Sequence, residues 1–213
     1  MIVTKFGGSS LADSAQFKKV KDIIKSNPAR RVVVVSAPGK RSSGDNKITD
    51  LLYTLGSHLK YGVPDDKIWV SIVNRYKEIK ETLNLDIDIE SELEAYSKTF
   101  GKDIDQDCLV SRGEYFCARL MSSYLGYTFV DAAEVIRFSY DGKLDVAESE
   151  KRMRAAFDQY GSIVVPGFYG AYPNGDINLL SRGGSDVTGA YISKFLNADI
   201  YENWTDVSGI LAA

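Results

Sequence analysis

Short runs of apolar and β-branched residues alternate along this chain with segments in which apolar residues recur at helical spacing. The four consecutive valines at residues 32–35 are typical of a strand that is covered on both faces of a parallel sheet. Further strand-like runs lie at residues 1–4, 127–130, 162–165 and 200–204. Helical spacing follows the first run, at residues 15–25, and precedes the last, at residues 187–196. The alternation predicts βα units around a mainly parallel sheet, which is an α/β fold.

The pattern changes between residues 65 and 100, where two helical segments follow each other without a strand. Apolar residues recur at helical spacing at Ile68, Ile72, Tyr76, Ile79 and Leu83, and then at Ile89, Leu93, Tyr96 and Phe100. About 35 residues bury only a small core, so we expect a helical excursion packed on the sheet rather than a second domain. Because no repeat and no linker-like change of composition interrupts the chain, one domain over residues 1–213 is the prediction.

Composition and charge exclude several classes of function. The 213 residues are 44% hydrophobic and 26% charged, with a net charge of -3, which is ordinary for a soluble globular protein. The chain lacks a basic stripe with interleaved aromatic residues, and no apolar run reaches the roughly 20 residues that span a bilayer. The N-terminus also lacks the charged-then-apolar order of a signal peptide. We therefore expect no nucleic-acid partner, no membrane partner and a cytoplasmic location.

The cysteines and the single histidine carry little chemistry. Cys108 and Cys117 are too few for a disulfide framework or a metal site, and we expect two reduced thiols, at least one of them in the core. His58 lies in a helix-like stretch without a nucleophile signature nearby. A Ser-His-Asp hydrolase would have to depend on it, so we interpret His58 as structural or exposed.

A glycine-rich turn follows the first strand-like run, with the sequence KFGGSS at residues 5–10. Gly7 and Gly8 allow backbone N–H groups to approach a phosphate closely, and the helix that follows adds a favourable dipole. Lys5 can supply a full positive charge, and Ser9 a hydroxyl. An ordinary strand-to-helix turn with a surface lysine has the same sequence, so these residues alone leave both interpretations open.

A second glycine-rich segment, RGGSD at residues 182–186, precedes the helical pattern at residues 187–196. The guanidinium of Arg182 suits a carboxylate or a phosphate. Asp186 can orient a lysine, an ammonium group or a metal-bound water. The plain alternative is that Ser185 or Asp186 is a helix N-cap.

Three more polar segments follow strands or open helices. They are SAPG at residues 36–39 with Thr49 a little further on, SRGE at residues 111–114 ahead of an amphipathic helix, and TDVSG at residues 205–209 after the last strand. Singly, each is typical of a cap or a turn. Together they place lysine, arginine, carboxylates and hydroxyls at the carboxyl ends of parallel strands, where ligands bind. This set suits phosphoryl transfer onto a small zwitterionic acceptor.

Five of these segments, in this order and over nearly the whole chain, resemble the motifs of a known family. They are KFGGSS at 5–10, VSAPG at 35–39, SRGE at 111–114, LSRGGSD at 180–186 and WTDVSG at 204–209. The chain resembles the catalytic domain of aspartate kinases, within the amino acid kinase superfamily. The resemblance implies a three-layer αβα sandwich that transfers the γ-phosphoryl of ATP to the β-carboxylate of L-aspartate, the first step toward lysine, threonine and methionine.

The resemblance also implies a role for each site residue. Lys5 would neutralise the transferring phosphoryl, Glu114 would accept the α-ammonium, and Arg182 would hold the α-carboxylate. Mg²⁺ would bridge the ATP phosphates with few or no protein ligands, so no metal-ligating residue is predicted. The implied set is Lys5 and Asp186 for catalysis; Lys5, Gly7, Gly8, Ser9, Gly183, Gly184, Thr205 and Asp206 for the nucleotide and its phosphates; and Ser36, Thr49, Glu114, Arg182 and Ser185 for the substrate.

The chain departs from the family pattern in two ways. It ends at Ala213, whereas the family continues with a nucleotide-binding segment carrying a second catalytic lysine and usually with ACT regulatory domains. We therefore expect a catalytic domain that is incomplete at its C-terminal end, without ACT domains, and a homodimer in the full-length form. Ser9 also stands where many relatives carry threonine, and the hydroxyl is retained.

Two other functions stay open at this point. One is another amino acid kinase, acting on glutamate, acetylglutamate, carbamate or a nucleotide, which would share the sheet and the glycine turns. The other is a domain that binds the ligands without catalysing transfer.

Overall fold

Parallel strands form the centre of the protein. The computed structural model describes residues 1–63, 66–180 and 183–205, and its strands are β1 (Ile2–Phe6), β2 (Arg30–Val35), β3 (Thr128–Phe129), β4 (Ile163–Pro166), β5 (Tyr169–Ala171), β6 (Ile177–Leu179) and β7 (Ile200–Trp204). The sheet order is β3-β4-β2-β1-β7, with every neighbouring pair parallel. Strands β5 and β6 form a separate antiparallel hairpin. β1 and β2 therefore lie inside the sheet, where all of β1 and the four valines of β2 are buried.

Helices cover both faces of this sheet. They are α1 (Ser14–Lys25), α2 (Ile48–Tyr61), α3 (Asp66–Leu83), α4 (Ile89–Ser97), α5 (Gln106–Leu125), α6 (Ala132–Val135), α7 (Val146–Tyr160) and α8 (Gly184–Phe195), with a 3₁₀ turn at Gly8–Leu11. No helix in the described parts of the chain is long and apolar enough to cross a bilayer.

The four valines of β2 show how the sequence produces three layers. Successive side chains of a strand point to opposite faces of the sheet, and all four are fully buried. Val33 and Val35 pack in one core cluster with residues of α1 to α5, whereas Val32 and Val34 pack in a second cluster with residues of α6 to α8. The three-layer α/β architecture that the sequence predicts is therefore confirmed.

Two helices, α3 and α4, occupy the region from residue 66 to residue 97. Ile72, Tyr76 and Ile79 of α3 belong to the same core cluster as Phe17 of α1. The hydroxyl of Tyr76 also donates to the carbonyl oxygen of Gly113 at 2.8 Å. This excursion shares its core with the sheet instead of forming one of its own.

Two elements differ from the prediction. The SRGE segment is expected ahead of a helix, but it lies inside α5, because Asp105 caps the helix earlier by accepting from the Cys108 amide at 2.6 Å. The β5–β6 hairpin is not predicted, since its strands have only three residues each. Asn174 and Gly175 (φ 95°) mark its turn and are the signal that could have revealed it.

Candidate active site

A cleft of about 930 Å³ opens where the chain leaves β1, β2 and β7. Among the described residues it is lined by every site residue that the sequence predicts, namely Lys5, Gly7, Gly8, Ser9, Ser36, Thr49, Glu114, Gly183, Gly184, Ser185, Asp186 and Thr205. Arg182 and Asp206, the other two, lie outside the described residues. The predicted set thus shares one cleft, and the role of each member stays a prediction.

Lys5 and Asp186 form an ion pair at the base of this cleft. The Nζ of Lys5 lies 2.6 Å from Oδ1 of Asp186, and the Lys5 side chain is 8% exposed. Lys5 is adjacent to Asn203 in the register of β1 and β7, and Asn203 Nδ2 donates to the same Asp186 oxygen at 3.2 Å. Because an ammonium group has three donors, Lys5 keeps N–H groups for a ligand while Asp186 holds it in place.

The first glycine turn is built by close contact between two loops. The Gly39 amide donates to the Gly8 carbonyl at 2.8 Å. A Cβ on Gly39 would lie 2.6 Å from the carbonyl carbon of Gly8, so only glycine fits there. Gly8 and Ser9 begin the 3₁₀ turn, and the first amides of a helix have no partner within it. These amides are suited to an anion.

Glu114 reaches the cleft from the interior of α5. Gly113 makes this possible, because a Cβ there would lie 2.9 Å from Cβ of Ala37, and α5 therefore packs directly against the SAPG turn. Glu114 is 4% exposed, and its Oε2 has no hydrogen-bond partner among the described residues. Burial raises its pKa to about 8, although a backbone hydrogen bond at Ala37 opposes the shift. A cation entering the cleft would find a carboxyl oxygen, Oε2, that has no partner among the described residues.

Residues 183–186 of the second glycine segment also line the cleft. Gly183 (φ 78°) is the N-cap residue of α8, and no side chain caps this helix, so the interpretation of Ser185 or Asp186 as the N-cap is wrong. The segment follows the β5–β6 hairpin instead of a strand of the parallel sheet. The N-terminus of α8 nevertheless faces the cleft, with Gly184 close enough to Phe168 that a Cβ would lie 2.6 Å from its ring.

Phe168 is a cleft residue that the sequence does not indicate. Its backbone is left-handed (φ 78°), a conformation that is strained for a bulky side chain. Its amide donates to Oγ1 of Thr188 at 3.0 Å, and its carbonyl accepts from the Leu180 amide at 2.7 Å. The first bond joins the strained turn to α8, and the second joins it to the residue that follows β6.

Lysines on the loop between β2 and α2 are further residues that sequence reasoning missed. Lys40 and Lys47 line the cleft beside Ser36 and Thr49. Lys40 directly follows the SAPG motif, and Lys47 lies two residues before Thr49. These positions are the sequence signals that could have revealed the two lysines. They give this part of the cleft a positive charge that suits an anionic ligand.

Metal ligation by the chain has no candidate among the described residues. No group of three or more His, Cys, Asp or Glu side chains in residues 1–63, 66–180 and 183–205 could hold a metal ion.

Comparison with known proteins gives the family. The model of the amino acid kinase family matches residues 1–213. The chain belongs to the amino acid kinase family. Within that family it is 35% identical over 224 residues to "Aspartokinase 3" of Bacillus subtilis, covering 99% of this chain and 49% of the relative.

Two solved structures of the family are similar to this one. Aspartate kinase of Clostridium acetobutylicum superposes with a TM-score of 0.94 at 50% identity, covering 99% of this chain and 48% of that chain. E. coli aspartokinase III, in complex with aspartate and ADP, superposes with a TM-score of 0.83 at 28% identity over 99% of this chain and 50% of that chain. The resemblance to aspartate kinases is confirmed, and the chain spans about half the length of these relatives.

Proposed function

We propose that the protein is the catalytic domain of an aspartate kinase, with MgATP and L-aspartate as its substrates. The observation that carries the proposal is the cleft itself, which holds both the ion pair of the buried Lys5 with Asp186 and the buried carboxyl group of Glu114, whose Oε2 has no hydrogen-bond partner among the described residues. A relative with the same fold binds aspartate and ADP. One end of the cleft suits a phosphate and the other suits an ammonium group.

The reaction requires positioning more than acid–base chemistry. A β-carboxylate oxygen of aspartate attacks the γ-phosphorus of ATP, the O–P bond forms, and the bond to the β,γ-bridging oxygen breaks as ADP leaves with the electron pair. The carboxylate is already ionised at pH 7, so it needs no general base. Alignment of the two substrates and neutralisation of the phosphoryl charge are what the protein supplies.

The ATP side of the proposal is the region of β1, β7 and the start of α8. Lys5 contacts the transferring phosphoryl, and the amides of Gly8 and Ser9 bind phosphate oxygens. Asp186 positions Lys5. Gly7, Gly183 and Gly184 allow the backbone to approach the phosphates, and Thr205 and Asp206 belong to the nucleotide side. Mg²⁺ would accompany ATP and would supply positive charge beside its phosphates.

The aspartate side is the region of the SAPG turn, α2 and α5. Glu114 accepts the α-ammonium group, which stabilises its ionised form. Ser36, Thr49 and Ser185 help to place the amino acid, and Arg182 binds the α-carboxylate through a bidentate pair. In this proposal the product, 4-phospho-L-aspartate, leads toward lysine, threonine and methionine. A homodimer of the full-length protein and a cytoplasmic location stay predictions.

Turnover across a panel of acceptors tests the proposal. ADP release from MgATP should be fastest with L-aspartate among aspartate, glutamate, acetylglutamate and carbamate, and a product that reacts with hydroxylamine should form. Acetylglutamate outcompeting aspartate would replace the proposal with another kinase of the family. Calorimetric binding of MgATP and aspartate without any ADP formation would instead assign ligand binding without catalysis.

A further inference from the structure

A buried arginine of α3 lies behind the loop that joins β2 to α2. Its guanidinium is 4% exposed. One nitrogen, Nη1, donates to the carbonyl oxygens of Gly39 at 2.9 Å and of Ala12 at 3.2 Å. The other, Nη2, lies 2.5 Å from Oδ2 of Asp45. A single side chain, Arg75, therefore holds this loop at Gly39 and at Asp45.

Core stability does not account for an arginine at this position. The neighbouring residues on the same face of α3, Ile72, Tyr76 and Ile79, are all buried, so an apolar side chain would continue the pattern. A buried ion pair is often no more stabilising than well-packed apolar residues of similar volume. What the planar guanidinium offers instead is a fixed geometry toward several acceptors.

The positively charged side chains of the loop differ in whether they form ion pairs. Arg41 pairs with Asp45 through Nε at 3.0 Å and with Glu78 through Nη1 at 2.8 Å. Lys40 and Lys47 line the cleft, and neither forms an ion pair with a residue of the described ranges. Because Asp45 is occupied by Arg75 and Arg41, it is not available to neutralise the two lysines.

We propose that Arg75, acting through Asp45 and the carbonyl of Gly39, is a positioning residue that holds Lys40 and Lys47 at the acceptor side of the cleft, where they attract the carboxylates of the acceptor. This inference rests on the proposed function and adds a source of acceptor affinity to it. L-Aspartate carries two carboxylates and one ammonium group, so its net charge is negative. Two unpaired lysines beside Ser36 and Thr49 favour its binding over that of a neutral amino acid.

Steady-state kinetics of the Arg75→Gln variant give the first test. We expect KM for aspartate to rise by about tenfold, with kcat and KM for MgATP within about threefold of wild type, because only acceptor binding depends on the two lysines. Lys80→Gln is the matched control, since it removes another ion pair of α3, to Glu90 at 2.7 Å, without touching the cleft. A lower melting temperature with an unchanged KM for aspartate would overturn the proposal.

A mutant cycle tests whether the arginine acts through the lysines. Lys40→Ala/Lys47→Ala should raise KM for aspartate by about as much as Arg75→Gln, and adding Arg75→Gln to that pair should change KM by less than about twofold. If the KM increase of the triple variant instead equals the product of the increases caused by Arg75→Gln and by the two lysine substitutions, the proposal is overturned. If Arg75→Gln does not fold, Asp45→Asn breaks the same contact from a partly exposed position (16% exposed) and carries the same expectation.

A measurement without turnover separates this inference from the proposed function. If the wild-type protein does not phosphorylate aspartate, the proposed function fails, but amide hydrogen exchange of residues 40–46 still reports the position of the loop. Exchange there should be faster in Arg75→Gln and in Asp45→Asn than in wild type, and unchanged in Lys80→Gln. Unchanged exchange in both loop variants would overturn the positioning role.

Discussion

Among single residues, Glu114 couples the stability of the fold to pH. Its pKa is about 8 in the fold because the side chain is buried, whereas an unfolded glutamate titrates near 4.3. The folded state therefore binds more protons between these values, and its stability falls as pH rises through that window. We expect a loss of about 3–5 kcal/mol between pH 5 and pH 8 from this group. Urea unfolding at several pH values measures it.

The Glu114→Gln variant is the control for this pH dependence. Glutamine keeps the size of the side chain and does not titrate, so its free energy of unfolding should change much less between pH 5 and pH 8 than that of wild type. An equal decrease in both proteins would show that other groups cause the slope. The same variant should bind aspartate more weakly, because an amide does not neutralise the α-ammonium group.

Lys5 separates catalysis from acceptor binding. Lys5→Ala should lower kcat by about 10²–10³-fold, because the charge that neutralises the phosphoryl is lost, while the affinity for aspartate measured by calorimetry stays close to wild type. Asp186 is half exposed and keeps its bond to Asn203, so the variant should fold. Lys5→Met, which keeps the length of the side chain, controls for the cavity. Equal loss of catalysis and aspartate binding would assign Lys5 to the fold or to the acceptor pocket.

Among the elements, the two loops that meet at Gly8 and Gly39 define the shape of the cleft. A methyl group on Gly39 would lie 2.6–2.8 Å from backbone atoms of Gly8 and Ser9, and backbone cannot move aside as a side chain can. Gly39→Ala should therefore lower kcat/KM by more than about tenfold and cost about 1–3 kcal/mol of stability. Steady-state kinetics and urea unfolding check the two effects.

Gly44→Ala is the matched control, because Gly44 lies on the same loop and a Cβ there would meet nothing within 4 Å. This variant should stay within about 0.5 kcal/mol of wild type and keep its activity. A similar loss of activity in both glycine variants would mean that the flexibility of the loop, and not the contact with Gly8, is what matters.

Elements also show which parts of the structure the sequence can predict. The valines of β2 predict a strand with both faces covered, because a continuous run of β-branched residues is typical of buried parallel strands. The glycine turns predict a ligand-binding edge of the sheet. The sequence around Gly113 does not predict that α5 packs against the SAPG turn. This contact joins residues about 75 positions apart in the chain and depends on tertiary packing. For the same reason Arg75 gives no signal in the sequence, although its contacts organise a wall of the cleft.

In the whole molecule, the helical excursion and the sheet should unfold as one unit. Trp69 of α3 packs edge-on against Phe100, with ring centroids 4.9 Å apart, and Trp204 of β7 stacks on Phe6 at 6.1 Å. These are the two tryptophans of the chain, and both pack against the same core cluster. A shared core favours a single cooperative transition.

Single-tryptophan variants make this measurable. In Trp204→Phe the fluorescence reports only the excursion, and in Trp69→Phe it reports only the sheet. For each variant, the urea midpoint from fluorescence should coincide with the midpoint from far-UV circular dichroism. Because both midpoints are measured on the same protein, the effect of the substitution on stability cancels in the comparison. A fluorescence midpoint of Trp204→Phe clearly below its circular-dichroism midpoint would mean that α3 and α4 unfold before the sheet. Arg75 would then hold the cleft loop from a unit less stable than the cleft itself.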